Sequence, residues 1–353
     1  MYRLINPFKY SYSLFFLLIL LYMENEMEIT RVIRNNKFQY LDRTKKVIKN
    51  RNQLNRFKSL KIPPAYTNVK ISAYKDTAIQ AIGQDNLNRK QYIYHQDFIE
   101  EQKEVKFSDL ILFGRKLKRI RKDVNNNLKN IQNNLSKEKI ISIIIFLIDK
   151  CHFRIGTEKY KKLYNTYGVS TLSPNHLIFN KNNLVIQFIG KKGVLNKSKI
   201  SNGHAIDYLK QLCQYNSDKE YIFYYQDNIN LHHITHTQIN NFLQKYNRHI
   251  SAKFFRTWCA NHTMLGELVV LPKLENIKDR QKEVRRIIKV VASKLNNTPQ
   301  VSKSNYIYDQ LIELYLNNYQ TFLVILDKSK KYNNTLPTID RLLTIFLIYF
   351  KNN

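Results

Sequence analysis

The sequence predicts an α+β protein, with a small β-rich N-terminal domain followed by a larger, mainly α-helical one. Three observations carry that reading. Between Met27 and about Glu104, short alternating segments such as Val69-Lys70-Ile71-Ser72 and Gln91-Tyr92-Ile93-Tyr94 are separated by the turn-prone Asp85-Asn86-Leu87-Asn88, the pattern of half-buried strands. From Ile140 to Ile148 the chain is apolar on every side, as a buried helix is. Further on, Val284, Ile287, Ile288, Val291 and Leu295 recur at helical spacing.

Taken in order, residues 1–26 form an extension, apolar in part, that stands outside the functional argument. Its run Leu14 to Met23, preceded by Arg3 and Lys9, is shorter than the roughly 20 apolar residues a spanning helix needs. Glu24, Asn25 and Glu26 follow it where a signal peptide would place small residues. It reads as a buried helix or strand, or as an upstream start with Met23 or Met27 as the usual one. Residues 27–104 make the β-rich domain, and the acidic stretch Glu100 to Val105 reads as the hinge into the helical domain, 105–353. There Ser136 caps the buried helix, which delivers Arg154 to its C-terminal end. Leu177-Ile178-Phe179 and Leu184 to Ile189 flank Asn180-Lys181-Asn182-Asn183 and read as a hairpin. Lys191 lies just past its second strand. Asn296 and Pro299 end the later helix, so Asn297 and Tyr306 fall in a loop or a fresh short helix.

The chain has 353 residues and is 43% hydrophobic, enough for a real core. It carries 58 Lys and Arg against 27 Asp and Glu, a formal net charge of +31. An AT-rich genome inflates Lys, Asn, Ile and Tyr but does not explain the scarcity of acids; the balance points to a polyanionic partner and salt-sensitive binding to nucleic acid. Cys151, Cys213 and Cys259 are far apart with no Cys-x-x-Cys pair, which argues for a reducing compartment and against a disulfide framework or zinc site. His232, His233 and His236 lack further metal-ligand partners in the sequence and read as a solvated loop.

Chemistry concentrates in four places: Phe153-Arg154-Ile155-Gly156, Gly190-Lys191-Lys192-Gly193, Lys253-Phe254-Phe255-Arg256-Thr257-Trp258, and Asn297-Thr298-Pro299 through Ser302-Lys303-Ser304-Asn305-Tyr306. A phenol ionises near pH ~10, so a nucleophilic tyrosine needs cations around it. Arginine matches phosphate bidentately and stays charged. A lysine beside the leaving oxygen acts as general acid. Capture on tyrosine stores the bond energy of the broken strand. Taken singly, each group has an ordinary structural explanation; their order and flanking residues together point to phosphodiester cleavage.

From about Ile62 onward these residues resemble the poxvirus-like and bacterial type IB DNA topoisomerases. Ile62-Pro63-Pro64-Ala65-Tyr66-Thr67-Asn68-Val69 is similar to the entry to that family's small β domain. Ile79 to Asp85 and Arg89-Lys90-Gln91-Tyr92-Ile93-Tyr94-His95 resemble its DNA-contacting signature, and Lys106-Phe107 with Phe113-Gly114-Arg115 the opening of its catalytic domain. The resemblance implies the type IB topoisomerase/tyrosine recombinase fold. It implies Arg154 and Arg256 as catalytic arginines, Lys191 as general acid, Asn297 as a further catalytic donor and Tyr306 as nucleophile. Gln91, Tyr92, Lys159 and Tyr160 fall where the family touches DNA, and Lys253 supports the phosphate site. Poxvirus members carry His nine residues before the tyrosine, whereas bacterial-type and some giant-virus members have the Asn seen here. Phe254 stands where an acid is common, which alters how Lys253 is held.

The resemblance further implies relaxation of supercoiled duplex DNA through a 3′-phosphotyrosyl intermediate, without ATP, metal or any other cofactor. It implies a monomer in contact with intracellular DNA and no stable membrane association. The alternatives are a tyrosine recombinase or integrase, which usually reads His-x-x-Arg where this chain has Lys253-x-x-Arg256, and a non-catalytic DNA-binding clamp.

Overall fold

The computed structural model describes residues 27–130, 135–330 and 335–352; the apolar run at Leu14–Met23 lies outside the described residues. The chain divides into two compact units that part between Val105 and Lys106.

In the first unit, strands β1 (Ile29–Arg34), β2 (Lys37–Leu41), β3 (Thr67–Ile71), β4 (Ile79–Gln84) and β5 (Lys90–Tyr94) form one antiparallel sheet in the order β2-β1-β3-β4-β5. Asn35 and Asn36 turn the first hairpin at φ 51° and 56°, the left-handed pair that suits the strands' twist. Helix α1 (Arg51–Ser59), capped by the Asn50 side chain, buries Phe57 among Ile29, Tyr40, Val69, Ile71 and Ala81. Arg31 donates to the carbonyls of Ile62, Pro63 and Tyr66 at 3.2, 3.0 and 2.7 Å, which pins the segment leading into β3.

Helix α2 (Gln96–Lys129) begins directly after the sheet, so the Glu100–Val105 stretch is helical. It is followed by α3 (Lys137–Cys151), whose residues Ile140 to Ile148 are all buried, and by the short α4 (Glu158–Tyr164). Strands β6 (Leu177–Phe179), β7 (Leu184–Ile189) and β8 (Leu195–Ile200) make a three-stranded antiparallel sheet. The β6–β7 hairpin falls where the apolar runs place it. After α5 (Gly203–Tyr215) comes a hairpin of β9 (Tyr224–Asp227) and β10 (Asn230–His233). The remaining helices are α6 (His236–Gln244), α7 (Lys253–Val269), α8 (Ile277–Lys294), α9 (Pro299–Asn305), α10 (Asp309–Asn317), α11 (Tyr319–Ser329) and α12 (Ile339–Asn352).

Helix α7 runs through the core of this unit, with every residue from Phe255 to Asn261 buried. Large apolar side chains fix it from several directions; Phe113 meets both Phe255 and Trp258, and each such burial contributes about 1.5–3 kcal/mol. One polar cluster ties four helices together. Arg121 on α2 forms a two-pronged pair with Asp149 on α3 at 2.9 Å and donates to Asp340 on α12 at 2.6 Å. Asp340 also accepts from the Trp258 indole at 2.7 Å. The Arg121 guanidinium is half-buried, and such pairing offsets the cost of taking its charge partly out of water.

Candidate active site

Arg154 follows α3 because that helix ends at His152, which takes the left-handed conformation at φ 57°. The turn beyond it is clasped by a second loop: Val169 and Ser170 donate their backbone N–H groups to the carbonyls of Arg154 and Ile155 at 2.9 and 2.7 Å. Gly156, at φ +88°, and Gly168 pass so closely that a Cβ on Gly168 would stand 2.4 Å from the Gly156 nitrogen. Only glycines allow that approach, and it sets the direction in which Arg154 leaves the backbone.

Tyr306 is held with comparable care. The Asn296 backbone takes a left-handed turn at φ 49°, the Thr298 hydroxyl caps α9 by accepting from the Val301 N–H, and Pro299 starts the helix. Tyr306 ends it. From α7, the fully buried Asn261 donates to the Tyr306 carbonyl at 2.9 Å and accepts from the Tyr308 N–H at 2.8 Å. One side chain therefore brackets the backbone on both sides of Ile307.

Arg256, one turn before Asn261, is 3% exposed. It donates to the His152 carbonyl and, at 2.7 Å, to the Leu295 carbonyl, so it links the end of α3 to the end of α8. Its guanidinium carbon lies 5.3 Å from the centroid of the Tyr306 ring. Burial pushes the Tyr306 phenol up, but Arg256 and then Arg154 outweigh it and hold the group below its ordinary value. Arg256 is lowered by burial first and by Arg154 second, yet a guanidinium remains a cation. His152 beside it is pushed down to about 4 by burial and by Lys294, so it is neutral near pH 7.

Arg154 donates to Asn297 Oδ1 at 2.7 Å. That contact fixes the amide with its Nδ2 as the opposite end, and Nδ2 is buried without a partner. Arg256 Nε is a second buried donor without a partner. Buried donors normally find acceptors, so each of these two is suited to an incoming oxygen acceptor.

Lys191 occupies a one-turn helix in the β7–β8 connection, and it lines a cleft of about 310 Å³ together with Arg154, Thr157, Tyr160, Tyr167 and His236. Gly190 sits against Asn196, whose amide nitrogen is 2.3 Å from where a Cβ would be. Asn196 donates to the Val194 carbonyl at 2.9 Å and accepts from Asn296 at 3.2 Å. The hairpin bearing Lys191 is thereby fastened to the corner bearing Asn297.

Of the other residues singled out by sequence, Lys159 and Tyr160 are exposed on α4, and Tyr160 reaches the same cleft. Lys253 is exposed in the first turn of α7, while Phe254 packs on Phe113 at 5.8 Å. Gln91 and Tyr92 lie on β5 of the first unit, where Tyr92 packs against the cluster of Met27, Ile79 and Ile82. The reading of His232, His233 and His236 as a solvated loop needs correction. His233 belongs to β10, and its ring nitrogens meet Glu158 Oε1 at 2.8 Å and the Ser170 carbonyl at 2.7 Å; those partners come from distant parts of the chain. Asn196 and Asn261 carry no local motif and were not legible as site residues.

Among the described residues no helix is long and apolar enough to cross a membrane, and no group of His, Cys, Asp and Glu has metal-binding geometry.

The profile of the family described as eukaryotic DNA topoisomerase I, catalytic core, matches residues 95–331, and that of the bacterial DNA topoisomerase IB N-terminal domain matches residues 37–85. DNA topoisomerase 1B of Acanthamoeba polyphaga mimivirus is 29% identical over 324 residues, covering 89% of this chain and 92% of the relative. DNA topoisomerase 1B of vaccinia virus (strain Copenhagen) is 23% identical over 304 residues, covering 83% and 88%. Among solved structures, the XerH site-specific recombinase bound to palindromic difH substrate superposes with a TM-score of 0.36 at 11% identity, over 60% of this chain and 51% of that one. The catalytic-core match spans well over half of the sequence, and the chain belongs to the type IB DNA topoisomerase family.

Proposed function

We propose that this topoisomerase relaxes duplex DNA with Tyr306 as its nucleophile and Arg154, Lys191, Arg256 and Asn297 as the groups that stabilise or protonate the reacting phosphate. The phenolic oxygen attacks the scissile phosphorus as its proton leaves to solvent. The bond from phosphorus to the 5′ oxygen breaks, a 3′-phosphotyrosyl link forms, and Lys191 gives that oxygen its proton. Torsion turns the free 5′ end. Resealing is the same path reversed, with Lys191 taking the proton back, so no external energy source enters the balance.

The observation that carries this reading is the Arg256 guanidinium 5.3 Å from the Tyr306 ring, with Arg154 held on Asn297 nine residues before it; both arginines favour the ionised phenol. The same two arginines suit the extra charge of a pentacoordinate phosphate, where each preorganised donor contributes about 2.7–4 kcal/mol. The buried donors Asn297 Nδ2 and Arg256 Nε suit its non-bridging oxygens. Lys159, Tyr160 and Lys253, with Gln91 and Tyr92 from the first unit, contact the duplex, and the enzyme works as a monomer on intracellular DNA.

The test is relaxation of supercoiled plasmid in EDTA without ATP, comparing the wild type with Tyr306→Phe. The wild type relaxes the plasmid and the variant binds it without relaxing it. Relaxation by Tyr306→Phe removes Tyr306 as the nucleophile; failure of both proteins with binding retained removes the catalytic assignment.

A further inference from the structure

We infer that His233 is a positioning residue for Arg154: its two ring nitrogens fix the chain on both sides of the turn from which that arginine projects. The inference rests on the reading of Arg154 as a group that stabilises the reacting phosphate. It adds a residue that acts through Arg154 rather than on the phosphate itself.

The turn at residues 154–157 leads into α4, with Thr157 as the helix cap and Glu158 as its first residue. Ser170, which is buried, lies against this turn. Its N–H donates to the Ile155 carbonyl at 2.7 Å, and its hydroxyl donates to the Ile155 and Gly156 carbonyls at 3.1 and 3.3 Å. Ser170 is held in turn by His233, whose Nε2 is 2.7 Å from the Ser170 carbonyl. His233 Nδ1 is 2.8 Å from Glu158 Oε1. A carbonyl and an ionised carboxylate only accept, so the ring serves both partners only with hydrogen on each nitrogen. One side chain thus grips the loop that clasps the turn and the residue that directly follows it.

The ring is itself confined. His233 pairs with Tyr224 across the β9–β10 hairpin, and the rings of Tyr221 and Tyr224 flank it with centroids at 4.5 and 5.3 Å. Arg154 reaches Asn297 at 2.7 Å only if its backbone leaves the turn in the right direction. A displacement of ~1 Å at such a group costs on the order of 100-fold in rate.

His233→Phe keeps an aromatic ring and removes both donors. We expect single-turnover cleavage at saturating duplex to fall roughly tenfold or more, with filter binding near the wild-type value. In an Arg154→Ala background, where the group that His233 positions is gone, His233→Phe causes no further loss. A general loosening of the fold would instead slow Arg154→Ala by the same factor again. Glu158→Ala repeats the test at a side chain that is 47% exposed, so the core is untouched; it slows cleavage severalfold in the wild type and not in Arg154→Ala. Equal losses with and without Arg154 overturn the inference, as does wild-type cleavage by either His233→Phe or Glu158→Ala. A loss confined to binding also overturns it, and assigns His233 to the placing of Lys159 and Tyr160 instead. If Arg154→Ala alone cleaves at the wild-type rate, the catalytic reading of Arg154 falls and takes the inference with it.

Discussion

Asn261→Ala separates the positioning of the proposed nucleophile, Tyr306, from the stability of the fold. The substitution removes a buried amide that donates to the Tyr306 carbonyl and accepts from the Tyr308 N–H. Each neutral hydrogen bond contributes about 1 kcal/mol and an orphaned buried group costs up to about 3 kcal/mol, so the two together destabilise by roughly 2–4 kcal/mol. In a domain of this size that lowers the melting temperature by about 5–15 °C, leaving the protein folded at assay temperature. The chemical consequence is larger. Freed from its bracket, the Tyr306 backbone drifts relative to Arg256 on the neighbouring turn of α7, and a displacement of ~1 Å at a reacting group costs on the order of 100-fold in rate. Single-turnover cleavage of a labelled duplex reads that loss, filter binding confirms that DNA is still held, and a thermal scan reads the stability. A folded Asn261→Ala enzyme that binds and cleaves at the wild-type rate refutes the claim that Asn261 positions Tyr306.

Asn297→His keeps a donor at that position and leaves single-turnover cleavage equal or raised; a large fall assigns Asn297 another role. Because Arg256 and Arg154 hold the phenol below its ordinary value, the cleavage rate climbs with pH through a limb below about 10, and Arg154→Ala moves that limb upward in a pH–rate profile. His152 titrates at about 4 when folded and near ~6.5 when unfolded, so on acidification the unfolded chain takes the proton first. Stability worth about 3 kcal/mol is therefore lost between about pH 6.5 and 4; denaturant midpoints across that range check it, and His152→Asn flattens the slope. Finally, with a net charge of +31, DNA affinity falls steeply with added salt, and a flat response in a binding titration would contradict electrostatic capture.

Much of the fold was legible because its signals are local. The β6–β7 hairpin is written in two apolar runs and a polar turn, and α3 in an apolar stretch broken only by Ser142. The restart at Pro299 follows from a cap and a proline. What escaped has its cause at long range. Helix α1 buries only Phe57, so its polar surface hides its period, and β8, Leu195–Ile200, carries Lys197 and Lys199 on exposed positions. His233 looked solvated because Glu158 and the Ser170 carbonyl, its partners, are 75 and 63 residues away. The four basic and phenolic groups stood out by their flanking residues; Asn261 in mid-helix and Asn196 in mid-strand did not, since an asparagine inside a regular element has no local mark of what it will bind.

The bond between Asn196 and Asn296 has a consequence for safety. A machine that opens a chromosome strand is dangerous if it loses the capacity to close what it has opened. Here the hairpin bearing Lys191, the proposed proton donor, and the corner bearing Asn297 are joined by that bond, which ties the positions of the two. On the mechanism proposed above, loosening this corner would disturb cutting and rejoining alike.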